Sequence, residues 1–384
     1  MMISQWYALF VAMLGMMVTF TIWGALSPLA TLFQSELLLN HTQVSILIAI
    51  PVLLGSVMRI PMGLLTDRYG GKRVFIALLI LSLLPTFVLG TLITSYSGLL
   101  VWAFVLGIAG TSFAVGIPFV SKWFPPGHQG LALGIFGIGN GGTAISAFFA
   151  PRIAQASSWP HVFLWFSLPI FLVIILFFFT RDAPTVTKTQ SWSAWKSALR
   201  NSPLIGVLAL FYFVTFGCFV AFSTYLPKLL VDIYGLPKIT SGSIAALFVV
   251  TATIGRPLGG WLSDKFSGER VLRFIFLFIV AAGLVLALDL PMAIFTKLIY
   301  ALGFILGMGN GAVFKLVPQF FSHDTGIVTG IVGAAGGLGG FFPPLFLGIS
   351  KDYLGSYTIG FLFLSVFSLV CLLVHSNLPS KNNG

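Results

Sequence analysis

Three basic residues, Arg59, Arg256 and Lys315, stand inside long apolar runs instead of between them. Arg59 lies eight residues before Asp67 in SVMRIPMGLLTDRYGGKRV (56–74), and Arg256 lies eight residues before Asp264 in TIGRPLGGWLSDKFSGERV (253–271). If these runs are helices that cross a bilayer and the aspartates mark its surface, eight residues at about 1.5 Å each put both guanidinium groups roughly 12 Å inside. That is close to the middle of an apolar core about 30 Å thick, where a lone arginine costs on the order of 3 kcal/mol or more. Of the nine acidic residues, Asp67, Asp182, Asp264, Glu269 and Asp324 fall near one face, and Glu36, Asp232, Asp289 and Asp352 near the other. No carboxylate is therefore expected at the depth of the arginines. Two fixed cations without a counter-ion make a site for an anion, and the planar donor fork of arginine suits an oxyanion. The competing reading is structural, with each arginine snorkelling or bonded to backbone carbonyls of its own part of the chain. Lys315, in GNGAVFKLVPQFF, lies eight residues before His323 and so at a similar depth. It reads as a proton-exchanging group, a third cation of the site, or a lysine reaching a water-filled cavity.

Composition dictates the elements that must hold these residues. Of 384 residues, 58% are hydrophobic and 8% charged, and the mean hydropathy is +1.03. A soluble chain carries about 25% charged residues, so this is the composition of an integral membrane protein. The net charge of +11 does not point to nucleic acid, because the basic residues are scattered over short connections. Cys218 and Cys371 fall in apolar runs and imply packing, not a disulfide framework. The first run, from Trp6, is long and lacks a basic leader, so it is expected to be a first span and not a cleaved signal. A helical span needs about 20 apolar residues. Twelve are expected, at 6–34, 43–66, 74–94, 97–122, 129–151, 159–179, 203–227, 240–263, 271–290, 293–321, 326–349 and 354–375. Their continuous hydropathy argues for helices, since barrel strands alternate. Loop lysines and arginines set the orientation. Arg68, Lys72, Arg73, Lys122, Arg181, Lys188, Lys196, Arg200, Lys265, Arg270, Arg273 and Lys381 fall on one side, against Arg152, Lys228, Lys238, Lys297 and Lys351 on the other. The first side is expected to be cytoplasmic and to hold both termini, with the protein in the inner membrane.

The chain repeats itself. At a constant offset Arg59, Gly63, Asp67, Gly71, Arg73 and Val74 become Arg256, Gly260, Asp264, Gly268, Arg270 and Val271. Gly130, Gly134, Gly137 and Gly141 of the fifth span answer to Gly326, Gly330, Gly333 and Gly337 of the eleventh. Gly107 and Pro118 of the fourth answer to Gly307 and Pro318 of the tenth. The expected architecture is an all-α membrane protein of twelve spans in two pseudo-symmetric six-helix halves, 1–180 and 203–384, joined by a cytoplasmic linker at 181–202. Within that linker WSAWKSALR reads as ordinary connection or as a short amphipathic surface helix. Two parallel six-helix halves are the arrangement of major-facilitator transporters, whose substrate sits near the midplane between them. The glycines let helix backbones approach closely. Their recurrence in both halves further implies smooth surfaces over which one half rocks on the other, so Gly134, Gly137, Gly141, Gly330, Gly333 and Gly337 are candidate sliding positions.

SKWFPPGHQGLALGIFGIGNGG (121–142), and GNGAVF followed by GIVGAAGGLGGFFPP (309–344), resemble the paired signature segments of the nitrate/nitrite porter family within the major facilitators. The resemblance covers essentially the whole chain. It implies that Arg59 and Arg256 clamp the anion, that Phe113 and Phe216 cover its two faces, and that Tyr212, one turn before Phe216, supplies a hydroxyl. It also places the family's signature asparagine at Asn140, with Gly141 as the alternative register. Lys315 departs from the neutral polar residue expected there. The implied function is secondary transport of nitrate, nitrite or both by alternating access, with proton-coupled nitrate uptake favoured over nitrate/nitrite exchange. The partners are then a small inorganic anion, protons and the lipid bilayer, with no nucleic acid, cofactor or metal, and a monomer is the expected state. The alternative is a major-facilitator antiporter for another small anion, a carboxylate or phosphate ester, which would need a roomier site with more donors. A passive channel would show rings of pore charge. No nucleophile with a base, metal cluster or phosphate loop speaks for an enzyme.

Overall fold

The structure, a computed structural model, describes residues 2–93, 95–125, 129–183, 203–321 and 325–375. All regular structure in these residues is helical. The first six spans run as α1 (Met2–Trp23), with a 3₁₀ turn at Ser27–Leu29 and α2 (Ala30–Glu36); α3 (His41–Val57) with α4 (Arg59–Tyr69); α5 (Gly71–Thr91); α6 (Tyr96–Leu106) with α7 (Ser112–Ser121); α8 (Gln129–Gly137) with α9 (Gly142–Ala156); and α10 (Trp159–Phe178). The last six are α11 (Pro203–Tyr234), α12 (Lys238–Phe266), α13 (Gly268–Leu286), α14 (Met292–Phe320), α15 (Thr325–Gly339) with α16 (Phe342–Leu354), and α17 (Thr358–His375). Among the described residues, 11 spans are apolar enough by length and composition to cross a membrane. The remaining one, α13, carries Glu269, Arg270 and Arg273 at its start. Most of the expected linker, 184–202 with its WSAWKSALR stretch, lies outside the described residues.

Several spans are not the plain helices that hydropathy implies. The fourth and fifth are each broken by a 3₁₀ turn, Gly107–Thr111 and Ile138–Gly141, where glycines replace side chains that would hold a regular turn. The second bends at Met58, directly before Arg59. The hydrogen bonds Met58 N–H to Leu54 O (2.9 Å) and Met62 N–H to Met58 O (3.0 Å) carry the chain through. The eighth and tenth spans, their counterparts, are continuous. The seventh runs on to Tyr234, beyond the expected end at 227. It takes in Lys228, which the sequence placed among the loop cations. The correction has a simple cause: Lys228 and Asp232 are one turn apart and pair at 2.6 Å, so neither charge ends the helix.

The duplicated loop motifs adopt the same backbone. Gly70 and Ser267, equivalent in the repeat, turn the chain with φ of 88° and 74°. Glycine takes that conformation freely and serine is strained in it. Beyond the first turn, Lys72 Nζ donates to the carbonyls of Phe178 (2.7 Å) and Thr180 (2.8 Å), and its N–H donates to Asp182 (2.9 Å), which ties the motif to the end of α10.

Within each half, glycines seat one helix against another. A Cβ on Gly107 would strike the carbonyl of Pro51, and one on Gly307 that of Ala252, the same crossing in both halves. Between the halves the contacts also come as equivalent pairs. The second span packs on the eleventh and the fifth on the eighth. Each arginine-bearing helix thus meets a glycine-rich helix of the other half. Large apolar side chains on the third, sixth, ninth and twelfth spans, such as Phe87, Leu172, Phe274 and Val366, point outward, as lipid-facing surface requires.

Candidate functional site

Arg59 and Arg256 converge on one aromatic ring. The Arg59 Cζ lies 5.3 Å and the Arg256 Cζ 5.5 Å from the centroid of Phe216, and Arg59 is also 5.6 Å from that of Phe113. These are cation–π distances. Among the described residues neither guanidinium pairs with a carboxylate. Arg59, only 2% exposed, donates from one terminal nitrogen to the Gly333 carbonyl at 2.6 Å, whereas its Nε is buried without a partner. The carbonyl belongs to the opposite half, so the bond spans the interface. Arg256 is half-buried and donates to the Tyr212 hydroxyl at 3.1 Å.

The rings form a stack around this pair. Tyr212 and Phe216, one turn apart on α11, lie nearly parallel at 4.8 Å and 8°. Phe113, from the first half, faces Phe216 at 6.3 Å and 20°. Two carbon contacts need about 3.5 Å each, so a flat ion between these faces needs about 7 Å. The rings must part by roughly an ångström to admit one, and because they come from opposite halves, that motion moves the halves. Phe314, which motif reading missed, closes the stack at 5.7 Å from Phe113 and 4.7 Å from Tyr212. The repeat held a signal for it, since GAVF (311–314) lies one residue out of step with the segment that carries Phe113.

Asn140 sits in the Ile138–Gly141 turn, 1% exposed, and neither its amide nitrogen nor its oxygen has a partner. Buried amides without a protein partner are uncommon. The turn packs on α12, and a Cβ on Gly137, three residues earlier, would lie 3.6 Å from Arg256. The structure brings Arg59, Arg256, Phe113, Phe216 and Tyr212 together, whereas Asn140 makes no hydrogen bond to any of them. Lys315 is half-buried and follows Phe314 directly, about 100° further round α14, so it does not share that ring's face.

The candidate sliding glycines divide in two. Gly137, Gly333 and Gly337 abut the site: an added Cβ would lie 3.8 Å from Phe113 at Gly333, and 3.0 Å from the Arg59 guanidinium and 2.9 Å from Ser56 Cβ at Gly337. Gly134, Gly141 and Gly330 meet nothing within 4 Å. Gly63 and Gly260 are equally open and lie one turn from Arg59 and Arg256 on the same helix faces; Gly134 and Gly330 lie one turn from Gly137 and Gly333. All four are displaced toward the loop motifs. Each has open space beside it on that side of the arginines.

Comparison with known proteins gives the family. The profile described as Major Facilitator Superfamily matches residues 11–344. Over 373 residues the chain is 38% identical to the probable nitrate transporter NarT of Staphylococcus epidermidis, covering 97% of this chain and 96% of that one. It is 39% identical over 358 residues to the nitrite extrusion protein of Bacillus subtilis, covering 93% and 90%. The inward-facing, occupied structure of a bacterial homolog of the human lysosomal transporter Spinster superposes with a TM-score of 0.69 at 19% identity, over 97% of this chain and 95% of that one, which bears on the fold. The chain is a multi-pass membrane transporter and not an enzyme; it belongs to the Major Facilitator Superfamily and, within it, to the nitrate/nitrite porter family.

Proposed function

We propose that the protein carries nitrate, nitrite or both across the cytoplasmic membrane by alternating access, with the anion held between Arg59 and Arg256 and between the faces of Phe113 and Phe216. One observation carries this reading: two guanidinium groups flank a single ring, with no carboxylate partner among the described residues. Sharing one centroid, they are less than about 11 Å apart, and at an effective dielectric of 20 two such charges repel by about 1.5 kcal/mol or more. An anion about 4 Å from each gains about 4 kcal/mol per arginine on the same scale. Binding thus outweighs the repulsion and draws the two halves onto the ion. A trigonal ion can accept edge bonds from both arginines, Tyr212 and Asn140 while ring faces cover its own. The bond from Arg59 to Gly333 supports a role for this arginine in half-to-half contact and not in its own half alone.

The lysine and arginine bias of the loops supports cytoplasmic termini, and the open space on the loop-motif side then faces the cytoplasm. Proton-coupled nitrate uptake remains the favoured mode; the B. subtilis relative, a nitrite extrusion protein by name, keeps exchange as its competitor. Uptake and counterflow in proteoliposomes test both points. Arg59→Lys and Arg256→Lys should nearly abolish nitrate uptake with insertion intact, because lysine lacks the fork. Wild-type uptake in either variant overturns the clamp. Strict one-for-one exchange indifferent to a proton gradient overturns symport. A competition panel of nitrate, nitrite, formate and phosphate separates this substrate class from larger oxyanions.

A further inference from the structure

At the end of the bundle away from the loop motifs, the halves are joined by a cluster of charged and polar groups that the transport site does not use. Lys228, on α11, has a fully buried side chain. Its three protons have three acceptors: Asp232 Oδ2 at 2.6 Å on its own helix, and Gln34 Oε1 at 2.9 Å and His41 Nδ1 at 3.1 Å from the first half. Asp232 also accepts from the Tyr357 hydroxyl and lies 3.3 Å from His41 Nδ1.

A second acid works across the same seam. The first-turn amides of α3 are shared between two acceptors. Asn40 takes that of Gln43 at 2.7 Å in a capping box. Asp352, on α16 of the other half, takes those of His41 at 3.2 Å and Thr42 at 2.7 Å, together with the Thr42 hydroxyl. Ser45 and Tyr225 meet at 3.0 Å, and Ser27 donates to the Thr224 carbonyl, also between halves. Asp352 lies at an exposed edge, so water can replace it when the halves part.

We propose that His41, Lys228, Asp232 and Asp352 form a latch that holds this end closed, and that protonation of His41 releases it. Because Lys228 has no lone pair, Nδ1 of His41 must be the acceptor in their bond, which requires a proton-free Nδ1. Adding a proton there removes the acceptor and sets two cations 3.1 Å apart. The ionised groups around His41 are Lys228 and Lys351 against Asp232 and Asp352, which balance while the imidazole is neutral. The phenols nearby are Tyr225 and Tyr357, with Tyr96 bonded to the Gln43 carbonyl, and Glu36 of α2 is held by Trp159. A charged His41 therefore leaves the seam with an unbalanced positive charge. Asp232, 3.3 Å away, can accept from it only in competition with Lys228. Acid on this side favours opening.

The latch rests on the alternating-access reading but not on the identity of the anion, so its test uses no substrate. Spin labels on Leu38→Cys and Tyr353→Cys, both exposed and on opposite halves, in a Cys218→Ala, Cys371→Ala background, report the separation of this end in nanodiscs. The pulsed electron–electron distance distribution should shift toward longer distances between pH 8 and pH 5.5. His41→Gln, which cannot gain charge, should abolish the pH shift. Asp352→Asn should raise the open-to-closed ratio at both pH values by about fivefold, the equilibrium factor of losing one helix cap. Both substitutions lie at the partly exposed edge of the cluster, and only the monodisperse fraction is measured. A pH shift that survives in His41→Gln, or Asp352→Asn distributions identical to the parent's, overturns the proposal. Failure here would leave nitrate binding at the arginines untouched.

Discussion

Replacing Arg256 by glutamine removes one of the two charges and keeps a polar side chain in its place. Arg256 is the half-buried member of the pair, and it donates to the Tyr212 hydroxyl. Arg59 is a poorer choice for this test because it is almost wholly buried and bonded to Gly333. With both arginines near the Phe216 ring, the lost attraction is about 4 kcal/mol for an anion at about 4 Å at an effective dielectric of 20, while the repulsion between the arginines is present with and without anion and cancels in the binding equilibrium. A loss of about 4 kcal/mol corresponds to a Kd raised on the order of a thousandfold. Titration calorimetry of detergent-purified protein with sodium nitrate, in a buffer of large organic anions, measures this directly. The Arg256→Lys variant retains the charge and should fall between the two, because only the fork is lost. Unchanged nitrate affinity in Arg256→Gln would refute the clamp and leave Arg256 as a partner of Tyr212 alone. A loss of equal size for Arg256→Lys and Arg256→Gln would refute the electrostatic part while keeping the geometric one.

Glycine substitutions should separate packing from passage. Gly337→Ala puts a methyl group 3.0 Å from the Arg59 guanidinium and should reduce nitrate uptake at least tenfold, whereas Gly134→Ala and Gly330→Ala should retain most of it in proteoliposomes. Asn140→Leu should lower nitrate affinity by roughly 1 kcal/mol or more, the scale of a hydrogen bond to an ion, without lowering the melting temperature, since the amide has no protein partner. Lys228→Met leaves Asp232 with a hydroxyl as its main partner and should destabilise the protein by about 3 kcal/mol, seen as a lower midpoint in a thiol-reactive dye melt. Ser267→Gly relieves a strained turn and should raise that midpoint, the equivalent of about 1 kcal/mol.

Spans, their number and the twofold repeat were legible from composition and spacing, because hydropathy over about 20 residues is a local property of the chain. The pairing of Arg59 with Arg256 at equal distances from Asp67 and Asp264 was legible in the same way, since a helix converts residue number into distance. The resemblance of the glycine segments pointed to Phe113, Phe216, Tyr212 and Asn140, and the fold brings the first three into one cluster with the arginines. What hydropathy could not register was where helices yield: the turns at Gly107–Thr111 and Ile138–Gly141 are as apolar as the helices they interrupt.

Partners lay beyond the reach of the sequence. Arg59 meets a carbonyl 274 residues away, and Lys228 meets Gln34 from 194 residues away. Such pairs are set by how two halves settle on one another, not by any period within them. Lys228 looked like a loop cation until tertiary packing supplied acceptors for all three of its protons, and Phe314 looked like one of 39 phenylalanines until it closed the ring stack. Which glycines are pressed against neighbours and which line open space was likewise decided only between helices. The chain by itself determined which segments had to be apolar spans; only the packed bundle decided which charges were buried and what each would face, because that depends on contacts between segments that share no local signal.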